Sequence, residues 1–225
     1  MTSDARITEP DVFRVERLEL GQHLQDYQST WDLQRRLHEQ ISTGAQPDTA
    51  LLLEHAEVFT AGRRTQPQDL PVDGSAVIEV DRGGRITWHG PGQLVCYPIV
   101  RLPQPFDVVA HVRRLEQIVI DTCADLGLAT IRVEGRSGVW VQPPLGSPMK
   151  VAAIGVRVAR GVTMHGLSVN ADCDLSWAQQ IVPCGLADAT TTSLSEQLGR
   201  DVTVLEVAEV LEPHLYDTFA VRRSA

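Results

Sequence analysis

A chain of 225 residues and 24.7 kDa, 43% hydrophobic and 22% charged, has the composition of a soluble globular domain, which excludes disorder, collagen and coiled coil. Its net charge of -9 and pI near 5.2 argue against nucleic acid or an anionic membrane surface as a partner. Of its 20 basic residues only one, Lys150, is a lysine, so that side chain stands where an otherwise Arg-based surface chemistry made an exception.

Residues 1–11 are polar and read as a flexible tail, and residues 12–225 as one domain. The tail lacks the apolar core of a signal peptide, and no apolar run reaches the roughly 18 residues of a membrane helix. Phe13 to Leu20 suits a first strand. From His23 to Ile41, apolar residues recur at steps of three or four, which predicts an amphipathic helix stopped by Gly44. Leu51–Leu53 is a short buried strand. Val77–Val80, Arg85–His89 and Leu94–Leu102 read as strands, with Gly83-Gly84 turning the first pair into a hairpin. Phe106 to Leu126 predicts a long helix capped by Gly127. Ala129–Val133, Val139–Gln142, Met149–Arg160 and Thr163–Asn170 follow as β segments, with a Pro/Gly-rich loop at 143–148. Thr203 and Glu206 form a capping box for a last helix that Pro213 is expected to kink or split. Hairpins and meanders with few helices, rather than regular βαβ alternation, predict an α/β (α+β) domain with a mixed, largely antiparallel sheet flanked by helices.

The four cysteines, Cys96, Cys123, Cys173 and Cys184, show no CxxC spacing and fit reduced thiols in a cytoplasm. Cys96 and Cys123 sit in apolar segments, and Cys173 lies between two aspartates that disfavour a thiolate. Cys184, between Pro183 and Gly185, is the least core-like and the best candidate for reactivity. Lys150 heads a strand face continued by Ala152, Ile154 and Val156. A lysine there is partly desolvated unless it snorkels to water. In Arg82 to His89, alternation places Arg85, Thr87 and His89 on one face and Ile86 and Trp88 on the other. Neither GxGxxG nor a phosphate-loop pattern is present. A metal site from His89, His165 and Cys184 lacks ligand spacing.

Four stretches together are distinctive. They are Arg82-Gly83-Gly84 with Thr87-Trp88-His89-Gly90-Pro91-Gly92-Gln93, then Lys150-Val151-Ala152-Ala153-Ile154-Gly155, then His165-Gly166-Leu167-Ser168-Val169-Asn170, then Pro183-Cys184-Gly185. In this order they closely resemble the lipoyl(octanoyl) transferases. The family commonly has Tyr at Trp88 and Ala at Ser168.

The resemblance implies a biotin/lipoate protein ligase-like fold. It also implies transfer of an octanoyl group from octanoyl-acyl carrier protein to a lysine of lipoyl domains, as in 2-oxoacid dehydrogenases and the glycine-cleavage H protein. Cys184 would carry the acyl group as a thioester with Lys150 as its catalytic partner. Arg82, Gly83, Gly84, Arg85, Ile86, Thr87, Trp88, His89, Ala153, Ile154, Gly155, Gly166, Leu167 and Ser168 match the substrate contacts, with His165 lining the mouth. No cofactor and no metal are implied, and a cytoplasmic monomer is expected. Acidic carriers would need arginines at the mouth, and Arg63, Arg64, Arg82 and Arg85 are the candidates. The alternatives on the same fold are an ATP-dependent lipoate or biotin ligase and an acyltransferase with its cysteine elsewhere. A non-catalytic binder is the alternative from another class.

Overall fold

The computed structural model describes residues 13–181 and 190–220. An eight-stranded sheet forms the centre. Its strands are β1 (Arg14–Arg17), β2 (Thr49–Leu53), β6 (Gln93–Ile99), β7 (Ile131–Val133), β8 (Arg136–Val141), β9 (Met149–Ala159), β10 (Val162–Asn170) and β11 (Thr190–Thr191). The order is β1-β2-β6-β10-β9-β8-β7, antiparallel throughout except for β1 on β2. The short β11 runs parallel to the start of β9, pairing Thr190 with Met149 and Thr191 with Lys150.

Helices cover both faces. Helix α1 (Tyr27–Thr43) starts at Asp26, which caps the Ser29 N–H at 2.8 Å, and ends at Gly44 in the left-handed region. Its Ile41 joins Leu51, Leu53, Val95 and Tyr97 in one core cluster. On the opposite face α2 (Val108–Asp125) and α4 (Val204–Phe219) bury Leu115, Ile118, Val207 and Leu211 with Ala50, Leu52, Leu94 and Cys96. Every residue of β2 is buried because its alternate side chains serve these two layers. The short α3 (Leu194–Leu198) precedes α4. The mixed, largely antiparallel sheet flanked by helices is the expected fold class.

Two expectations need correction. Gly83-Gly84 does not turn a hairpin. β4 (Val77–Glu79) and β5 (Thr87–His89) never pair with each other, and both flank β3 (Val58–Ala61) in a second sheet of order β4-β3-β5. Val58–Ala61 lacks strict alternation and follows a polar stretch, so the sequence pattern passed over it. Pro213 does not split α4, which runs unbroken through it. The proline is on the exposed side of the helix, as is Glu209, whose carbonyl loses its helical donor to the ring and faces water instead.

Candidate active site

A cavity of about 800 Å³ opens between the small sheet, β9 and β10, and the first turns of α2. One wall comes from the segment after β4. Arg82, Gly84, Arg85, Ile86, Thr87 and His89 line it. Arg82 is buried, and its guanidinium donates to the carbonyls of Gly83 (3.1 Å), Arg85 (2.7 Å) and Thr60 (2.7 Å) and to the Thr60 hydroxyl (2.9 Å). It ties the loop to β3, so it does not present a docking charge at the mouth. Arg85 is spent similarly, gripping the fully buried Asp69 through two nitrogens at 2.6 and 2.7 Å. Arg63 and Arg64 line the same rim and are exposed.

Gly83 and Trp88 are the two proposed contact residues that do not line the cavity. Gly83 instead donates its N–H to the Val156 carbonyl at 2.9 Å and pins the loop to β9. Trp88 lies on the far face of β5, packed with Phe59, Ile86, Cys173 and Ile181. Its indole folds so closely over Gly90 that a Cβ there would meet it at 2.1 Å, which explains the glycine two residues on.

The facing wall carries Lys150, Ala153, Ile154 and Gly155 on β9 and His165, Gly166, Leu167 and Ser168 on β10. Lys150 is only 5% exposed, so it does not snorkel. Its Nζ lies 4.5 Å from the centre of the Trp140 ring on β8, a cation–π contact in a desolvated setting. Gly138, two residues earlier on β8, has φ +112, and a Cβ there would meet the Ala152 carbonyl at 2.5 Å and Lys150 Cε at 3.3 Å. Only glycine leaves room for the lysine stem at that point. The Gly138 N–H donates to buried Glu116 at 3.1 Å, and Arg113 and Arg132 pair with the same carboxylate at 2.6 and 3.1 Å.

The deep end is aromatic and histidine-rich. Tyr27 and Tyr97 line it, and the His89 ring stacks on Tyr27 at 6.1 Å and 13°. His89 Nδ1 is 2.7 Å from Gln93 Oε1. His55 bridges the Gln25 carbonyl at 3.0 Å and the Tyr97 hydroxyl at 2.8 Å. Burial pushes the pKa of His55 down to about 4 and that of His89 down to about 3, so both rings are neutral near pH 7. His165 is 2% exposed and meets Asp81 at 2.8 Å, which places it inside the cavity wall rather than at the mouth. Burial lowers its pKa even against the Asp81 carboxylate.

Tyr27, His55, Tyr97 and Glu116 were not legible as site residues. His55 directly follows a buried strand and one acidic residue, and that is the one local signal it offered.

Cys96, Cys123 and Cys173 are all buried. Burial raises the thiol of Cys96 and pushes those of Cys123 and Cys173 up to about 12, with Asp172 and Asp174 adding to the last. None of the three is poised to react. Pro183, Cys184 and Gly185 lie outside the described residues. The described chain ends behind β5 at Ile181 and resumes at Thr190 beside Met149 and Lys150. Among the described residues no three His, Cys, Asp or Glu side chains gather as a metal-ligand set, and no helix is long and apolar enough to cross a membrane.

A solved lipoate protein ligase from Thermoplasma acidophilum, described with its lipoyl domain, superposes with a TM-score of 0.67 at 13% identity, covering 94% of this chain and 84% of that one. A biotin protein ligase from Aquifex aeolicus gives a TM-score of 0.52 at 15% identity, covering 94% and 71%. At such identities the likeness is one of fold. Sequence relatives are closer. An octanoyltransferase of Salinispora arenicola is 61% identical, covering 84% of this chain and 90% of the relative, and one of Streptomyces coelicolor is 49% identical over 91% and 92%. The lipoyl protein ligase A/B catalytic domain matches residues 26–216. The chain therefore belongs to the lipoyl protein ligase A/B family and, within it, groups with the octanoyltransferases.

Proposed function

We propose that this chain is an acyltransferase that moves an octanoyl group from an acyl carrier protein to a lysine of a lipoyl domain, through a thioester on Cys184 assisted by Lys150. The observation that carries the reading is the desolvated Lys150 on the cavity wall, with Thr190–Thr191 returning alongside it from the segment that contains Cys184. The names and identity of the octanoyltransferase relatives support the substrate.

The chemistry follows from the residues. A free thiol is only a few per cent thiolate near pH 7, and an adjacent ammonium stabilises the thiolate. Thiolate attack on the incoming thioester carbonyl expels the carrier thiol, and one thioester replaces another at nearly constant free energy. An amine then attacks the enzyme thioester, Cys184 leaves as the thiol, and the more stable amide drives the sequence. The amine proton needs an acceptor, and Lys150 in its neutral form is the residue that fills that role. No nucleotide enters either half. Ile154, Gly155, Gly166 and Leu167 give the acyl chain an apolar wall, and the exposed Arg63 and Arg64 face acidic carriers at the rim. We place the reaction in the cytoplasm, with the chain acting as a monomer.

The test is transfer itself. Octanoyl-acyl carrier protein, a lipoyl domain and this chain, without ATP, should yield an octanoylated lipoyl domain. Transfer that appears only with free octanoate and ATP would identify a ligase instead.

A further inference from the structure

A polar relay runs from His89 to the backbone beside Lys150, and each link has one possible direction. Thr192 donates its N–H to the Lys150 carbonyl at 2.9 Å. The Thr192 carbonyl, which can only accept, takes a hydrogen bond from Asn170 Nδ2 at 2.9 Å. Asn170 Oδ1 is therefore the acceptor for Gln93 Nε2, also at 2.9 Å. That leaves Gln93 Oε1 facing His89 Nδ1 at 2.7 Å, and an amide oxygen can only accept. His89 Nδ1 must carry the ring proton. The Gln93, Asn170 and Thr192 side chains are buried, so water does not compete for these bonds.

We propose that Gln93 and Asn170 are positioning residues that lock neutral His89 in its Nδ1–H tautomer, so that Nε2 meets the cavity as a hydrogen-bond acceptor for a substrate N–H. The ring orientation is fixed from the side as well, by the stack on Tyr27. Without the relay, either tautomer is open to His89. In the other one Nε2–H is a donor, and a substrate N–H meets another N–H. The role rests on the acyl-transfer reading above, while the tautomer stands on the geometry alone.

The experiment is ¹⁵N NMR of histidine-labelled protein near pH 7, with the His89 ring assigned by its loss in His89→Gln. Wild type should show His89 neutral with the proton on Nδ1. Gln93→Met should shift the ring toward Nε2–H and lower kcat/KM for octanoyl transfer about tenfold, the scale of one lost hydrogen bond. An Nε2–H ring in wild type overturns the proposal, as does a Gln93→Met rate within twofold of wild type. If wild type transfers no octanoyl group, the acyl-transfer reading fails, and the NMR result alone then decides the relay.

Discussion

Lys150 and Trp140 are cross-strand partners, and the Lys150 ammonium sits 4.5 Å from the centre of the indole ring. The contact keeps a charged side chain inside the wall of a cavity without a surface exit. Arginine, used at every other basic position, would satisfy the same contact, so the choice of lysine here fits the proton exchange proposed for it. A guanidinium keeps its proton near neutral pH and cannot exchange one with a thiol or an amine.

Lys150→Arg should therefore leave the fold intact by circular dichroism and lower kcat for transfer by at least about a hundredfold, the scale of a lost acid–base group. Wild-type rates in that variant would remove Lys150 from the mechanism.

Gly138→Ala should hurt both stability and rate. Its φ of +112 is unfavourable for alanine, and the added Cβ would press on the Ala152 carbonyl and on the Lys150 stem. A loss of about 1–3 kcal/mol is expected in urea unfolding. A fall in kcat well beyond that of an equally destabilised variant far from the cavity should accompany it. A neutral Gly138→Ala would show that β8 does not constrain Lys150.

The rim can be tested by charge reversal. Arg63→Glu and Arg64→Glu should raise KM for the acyl carrier protein at low salt, with kcat nearly unchanged and the difference fading as salt rises. Arg82→Glu should behave differently and unfold the domain, because it puts a carboxylate among the carbonyls of Thr60, Gly83 and Arg85. Equal effects in all three variants would contradict the division between docking and structural arginines.

Stability should fall in mild acid. Burial lowers the folded-state pKa of His55 and His111 to about 4 and of His89 to about 3, whereas the unfolded rings titrate near 6.5. Below about pH 6.5 the unfolded chain binds protons that the folded chain refuses. Stability from the neutral rings is thus complete above that pH and is lost as pH drops toward 4. Both ring nitrogens of His111 lack hydrogen-bond partners in the α2 interior. His111→Leu should flatten the urea midpoint between pH 6.5 and 4.5 at no polar cost. An unchanged slope would mean that this ring does not report acid unfolding.

Seven strands of the main sheet were legible from their apolar runs and alternations, and α1 and α2 from their stripes and terminal glycines; the two-residue β11 was not, because a pair of threonines carries no pattern. The small sheet was not. β3 is four residues long, and β4 and β5 join it from opposite sides, so their closeness in sequence suggested a hairpin that long-range pairing overrides. Arg82 looked like a docking charge because sequence reveals the side chain and not the three carbonyls around it. The alternation placed Trp88 opposite His89 correctly, and the structure keeps its indole out of the cavity. Lys150 stood out by its count and by its place at the head of an apolar strand face. What packs against it, Trp140 and Gly138, comes from the paired strand β8, a contact that no local pattern encodes.

The proposed transfer depends on a covalent octanoyl-enzyme formed without nucleotide. Intact mass spectrometry after mixing with octanoyl-acyl carrier protein alone tests it most directly. The enzyme should gain one octanoyl group, released by hydroxylamine and absent from Cys184→Ala. An unmodified wild-type mass, or an adduct that persists in Cys184→Ala, would contradict it.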